Sequence, residues 1–126
     1  MTPGRDRGSA VVDFVLVGGL LVLLFVAVLQ LALALHVRNV LIDSAAQGAR
    51  YGALAGHDAQ DGAARTRELV TAELSSSYAD HVSVDRVEVG GLALVDVRVA
   101  APLPLVGLLG PAGHLVVHGH APVERP

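Results

Sequence analysis

Ser9–Leu35, SAVVDFVLVGGLLVLLFVAVLQLALAL, decides how the rest of the chain is read. From Phe14 to Leu35 there is no charged side chain, and Gln30 is the one strongly polar residue. About 22 helical residues at ~1.5 Å each reach roughly 33 Å, enough to cross a hydrocarbon layer of about 30 Å. In lipid such a run must be helical, because each backbone N–H and C=O has to find its partner within the segment. A carboxylate, Asp13, stands at the leading edge. A short basic leader ending in glycine, MTPGRDRG, precedes the run.

The chain has 126 residues, and the apolar run takes a share of them. The remainder, about 90 residues from His36 onward, supports only a small core that gains from packing on a partner. Hydrophobic residues make up 52% but aromatics only 3%, so Val, Leu and Ala must build any core. The net charge of −3 argues against nucleic acid as a partner. With no cysteine, disulfides, thiolate catalysis and thiolate metal sites are excluded. The sequence has no phosphate-binding glycine loop, nucleophile elbow or H-E-x-x-H pair. It therefore points to no enzyme activity, no cofactor and no small-molecule substrate.

Arg5 and Arg7 outweigh Asp6 ahead of the apolar run, so the positive-inside rule keeps this end in the cytoplasm and exports the rest. A secretory signal peptide has an apolar core of about 7–15 residues, shorter than this one. Ala32-Leu33-Ala34 resembles a cleavage site but lies within the apolar run. Asp13 carries a cost near a bilayer, and an acid there calls for a partner. If the chain is cut after Gly8, Ser9 becomes the first residue and Asp13 the fifth. The new amine and the carboxylate then lie four residues apart at the head of one helix, where a negative charge is favoured.

These features resemble the class III signal of type IV pilins: a basic leader ending in glycine, a small residue, an acid at the fifth mature position, then an apolar helix. The closer resemblance is to the TadE-like proteins of tight-adherence (Flp) pilus systems. RGSAVVDFVLVGG is similar to their leader junction, and AAQGARYGA at 45–53 to the small-residue segment after their membrane helix. The family usually has Glu where this chain has Asp13, and often Pro near Gly18–Gly19. The resemblance implies a pseudopilin or minor pilin matured by a prepilin peptidase between Gly8 and Ser9. Asp13 would pair with a neighbouring subunit, and the partners would be the membrane, the major pilin and other pseudopilins. The rival reading is an uncleaved, single-span exported scaffold or binding module.

The helix is expected to continue beyond the membrane. His36, Asn39, Asp43, Gln47 and Arg50 form a polar stripe. Val37, Val40, Leu41, Ser44, Ala45, Gly48 and Gly52 form an apolar-to-small face, with Gly48 and Gly52 expected against the chain's own sheet. Gly56–Gly62 reads as a polar loop in which Asp58 or Asp61 caps a second helix running to about Ser77. Ala63, Val70, Leu74 and Tyr78 share a face of that helix. Strands come next. Val82 and Val84 alternate with one parity and Val87 and Val89 with the other, which predicts a bulge at Asp85–Arg86. Gly90-Gly91 signals a tight hairpin. Val95, Val97 and Val99 face opposite to Asp96 and Arg98, and Pro102 and Pro104 end the strand. Leu105–Leu109 reads as an apolar loop closed by Gly110–Gly113, and His114–Ala121 as the last strand, ahead of a polar tail.

The expected fold class is α+β. Residues 1–8 form a leader and residues 9–36 a transmembrane helix. Residues 37–126 form an exported pilin-like domain with one further helix and a short antiparallel sheet. His114, His118 and His120 share one strand face, a spacing compatible with zinc or copper and also with plain half-exposed histidines on an edge strand.

Overall fold

The computed structural model describes residues 3–102 and 114–124. The chain divides into two units, Met1–Leu33 and Ala34–Pro126. One helix, α1 (Pro3–Ala53), contributes to both. After it come α2 (Ala59–Glu73), a 3-10 turn (Ser76–Ala79) and three strands, β1 (His81–Val89), β2 (Leu92–Pro102) and β3 (His114–Pro122). The strands form one antiparallel sheet in the order β1-β2-β3, so the fold is α+β as the sequence predicts.

The first unit is the apolar helix. The most apolar window of α1 has a mean hydropathy of 2.9 and none of it is buried within the protein. Phe14 is 79% exposed and Phe25 63%. Each large apolar side chain gains about 1.5–3 kcal/mol on leaving water. A helix apolar on all sides and bare on all sides therefore belongs in lipid. α1 is long and apolar enough to make this a single-pass membrane protein.

The second unit is built on the C-terminal part of α1. Val37, Leu41, Ala45, Ala49 and Ala53 recur every four residues and are all buried. They join Ala63 and Val70 of α2, Val82 of β1, Val95, Val97, Val99 and Ala101 of β2, and Val117 and Ala121 of β3 in one core. Where β3 crosses α1, Gly119 lies on the main chain of Ala45 and Ala46, too close for any Cβ.

The sheet is not where Gly48 and Gly52 pack, contrary to expectation: their partner is α2. A Cβ on Gly52 would stand 3.0 Å from the Cα of Gly62, and one on Gly62 would stand 2.7 Å from the carbonyl oxygen of Gly48. The sheet meets α1 at Ala45, which leaves the adjacent glycine stripe to the second helix. Thr66 packs against Gly48, where an added Cβ would collide with its hydroxyl, and that hydroxyl donates within α2 to the Gly62 carbonyl at 2.8 Å.

The loop before α2 behaves as predicted, with both acids used. Asp58 Oδ1 accepts from the Asp61 N–H and Asp61 Oδ2 from the Asp58 N–H, each at 2.9 Å, a reciprocal capping box. α2 ends at Glu73, short of the expected Ser77. The 3-10 turn beyond it places Ala79 in the core and packs Tyr78 against it.

β1 also differs from expectation. It pairs with β2 without a bulge, from His81↔Ala100 to Val89↔Leu92. The parity change is absorbed by exposure. Val82 is buried and Val84 half-buried, but the later inward positions Arg86 and Glu88 are exposed. Nothing there has to be buried, so nothing forces the ladder to slip. Val87 instead sits opposite Leu94 on the other face, both half-buried. Gly90 and Gly91 make the turn with φ of 60° and 80°, the backbone a two-residue hairpin of this kind requires. β2 ends at Pro102, and β3 runs one residue further than predicted. Pro104, the loop at Leu105–Leu109 and its closure at Gly110–Gly113 lie outside the described residues. The tail is tied down: Val123 N–H donates to the Ala93 carbonyl at 2.9 Å and Glu124 N–H to the Ala53 carbonyl at 2.8 Å.

Candidate functional site: the head of the apolar helix

Gly8, Ser9 and Asp13 all lie on α1, and all three are exposed. A Cβ at Gly8 would meet nothing within 4 Å. Helical spacing places Ser9 and Asp13 on the same face, one turn apart, close enough to act together. The helix starts at Pro3, so in the full-length chain Asp13 lies well inside it rather than at its N-terminus. Cutting after Gly8 would change this, leaving a new amine one turn from the carboxylate. Gly18 and Gly19 are also open, with nothing within 4 Å of an added Cβ. Within the chain they make no close contact.

The histidines of β3 have a partner that sequence spacing does not reveal. His118 Nδ1 and His120 Nδ1 lie 3.2 and 3.1 Å from the same oxygen of Asp96, and the two rings stack with centroids 6.1 Å apart. The register explains this, since Asp96 pairs with His120 and Arg98 with His118. The outward parity of Asp96 is readable from the sequence, but its register against β3 is not. Among the described residues no group of three or more His, Asp or Glu has the geometry to hold a metal ion. The His114 side chain lies outside the described residues.

The helix head stands out by its sequence, and comparison with known families falls on the same place. The model of the TadE-like protein family matches residues 8–50. The chain carries a TadE-like segment. That segment begins on Gly8, takes in Ser9, Asp13 and the whole apolar run, and ends at Arg50, before α2 and the sheet. The TadE-like family is associated with pili and is not an enzyme family. Comparison with curated proteins and with solved structures gives no match.

Proposed function

We propose that this protein is a minor pilin or pseudopilin that takes part in assembling a tight-adherence (Flp) pilus or a related secretion apparatus. The observation that carries the reading is the TadE-like match starting on Gly8 and continuing through Asp13 and the apolar helix. In this reading Arg5 and Arg7 hold the N-terminus in the cytoplasm while the second unit is exported. A prepilin peptidase cuts between Gly8 and Ser9. The Ser9 amine and the Asp13 carboxylate then lie at the head of a membrane helix. There, in a poorly screened setting, the acid of one subunit pairs with the amine of the next, a major pilin or another pseudopilin.

Two measurements test this. Intact-mass or N-terminal analysis of membrane-extracted protein should find a chain beginning at Ser9, and Gly8→Leu should block its formation. Full-length protein alone, in cells that make a prepilin peptidase, would leave the uncut membrane-anchored scaffold as the better reading. Asp13→Ala should still be cut and inserted, but crosslinking to neighbouring subunits should fall by about tenfold or more, equivalent to ~1.4 kcal/mol of lost pairing. Asp13→Glu should restore much of it. Wild-type crosslinking and pilus output from Asp13→Ala would remove the pairing role.

A further inference from the structure

The two edges of the sheet are finished differently, and the backbone pattern shows how. Antiparallel ladders alternate hydrogen-bonded and non-bonded pairs. Val123 donates to Ala93, one step beyond the Leu94↔Pro122 pair. Leu115, Val117, Gly119 and Ala121 therefore bond to β2, while Val116, His118 and His120 turn their N–H and C=O groups outward. On the opposite edge, β1 packs against α2, and Arg67 donates to the outward carbonyl of Val82 at 3.0 Å. Among the described residues no group bonds the outward backbone of Val116, His118 or His120. Exposed edges are usually blunted by lysine, proline or a bulge. β3 has none of these until Pro122, and its register with β2 is unbroken.

We infer that the outer edge of β3 docks an extended, acidic segment of another protein, which adds to the sheet as a fourth strand. Charge selects the partner. Arg50 and Arg98 are exposed and, among the described residues, form no ion pair with a carboxylate. Arg98 lies beside His118 in a cross-strand row that an added strand would extend. His118 and His120 flank the edge and share a single carboxylate, Asp96. Next to β3, Arg50 lines a cavity of about 290 Å³ with Ala53, Leu54, Ala121, Pro122 and Glu124. Glu124 is tied to Ala53 through its backbone and, among the described residues, makes no ion pair with the Arg50 guanidinium. A second copy fits less well. Its β1 edge is blocked at Val82, and its β3 edge would set histidines against histidines. This inference concerns the second unit alone and does not depend on how the leader is processed.

The test uses full-length protein in detergent and residue-resolved amide exchange. Val116, His118 and His120 should exchange fast and Val117, Gly119 and Ala121 slowly. A short peptide of alternating Val and Glu should slow the first set. The same peptide with Lys in place of Glu should bind about tenfold or more weakly. His118→Pro, which removes an outward N–H, should abolish the protection, whereas His118→Ala should keep most of it. Thermal melting identifies any variant that unfolds. Should His118→Pro unfold, Arg50→Ala combined with Arg98→Ala tests the charge selection without touching the backbone and should weaken the Glu peptide about tenfold. Slow exchange at Val116, His118 and His120 without peptide would mean the edge is already covered, and would overturn the proposal. So would equal binding of the two peptides, or no protection by either.

Discussion

Residues 11–35 and 37–53 belong to one helix and obey opposite rules. The first stretch carries bulky side chains all round, and Leu20, Leu21, Leu24 and Phe25 are each 59% exposed or more. The second buries only one side, which after Val37 and Leu41 is built of small residues: Ala45 and Ala49 are fully covered, and Gly48 and Gly52 lie against Gly62. Identical backbone hydrogen bonding thus serves two solvents. In the first stretch, bulk on every side is the device, because lipid surrounds the helix. In the second, smallness on one side is the device, because another backbone has to come within van der Waals contact. A residue's value here depends on which half of α1 it occupies, and substitutions can break or sharpen that contrast.

Leucine truncation should show the largest difference. Leu41 is 0% exposed and one of the largest side chains in the core. Leu41→Ala should cost the second unit about 2–5 kcal/mol. The same change at Leu24 should leave that unit's melting unaltered and only slightly weaken membrane insertion, where a central leucine is worth about 0.3–0.6 kcal/mol. Chemical denaturation of the detergent-solubilised protein reads the first effect and an insertion assay the second. Comparable losses of unit stability at both positions would dissolve the contrast.

Adding bulk should do the reverse. Gly119→Ala forces a methyl onto the main chain of Ala45 and Ala46, which cannot rotate aside. We expect about 1–3 kcal/mol of destabilisation. Gly18→Ala in the apolar half meets nothing within 4 Å and should leave the second unit's stability unchanged. Thermal melts of the two variants side by side test this, and a neutral Gly119→Ala would mean that β3 does not rest on α1 as described.

The smallest effect expected lies at the capping box. Asp58→Ala removes the acceptor for the Asp61 N–H and should cost about 1 kcal/mol, read as a lowered melting temperature with an unchanged fold. A loss as large as that of Leu41→Ala would show that the loop carries more of the second unit than one helix cap.

The sequence by itself determined whatever depends on neighbours along the chain. The charge-free, almost wholly apolar run from Phe14 to Leu35 defines the span. The face of Val37, Leu41, Ser44, Ala45, Gly48 and Gly52 defines the buried side of its continuation, to which the structure adds Ala49 and Ala53. Asp58 and Asp61 define the start of α2 and Gly90-Gly91 the hairpin, and helical spacing alone brings Ser9 and Asp13 of the candidate site to one face. Only the tertiary structure decided matters in which the two partners are far apart in sequence. The odd-even switch within β1 leads to an unbroken ladder, because Arg86 and Glu88 lie beyond the core and have no need to slip. Gly48 and Gly52 meet Gly62, because the sheet already occupies the stripe at Ala45. Asp96 gathers His118 and His120, because β2 and β3 settle in the one register that buries Val97 and Val99 of β2 and Val117 and Ala121 of β3 together. Periodicity tells which way a side chain points. What it then meets is set by the packing of the whole second unit, where the gain from shared burial outweighs any local preference.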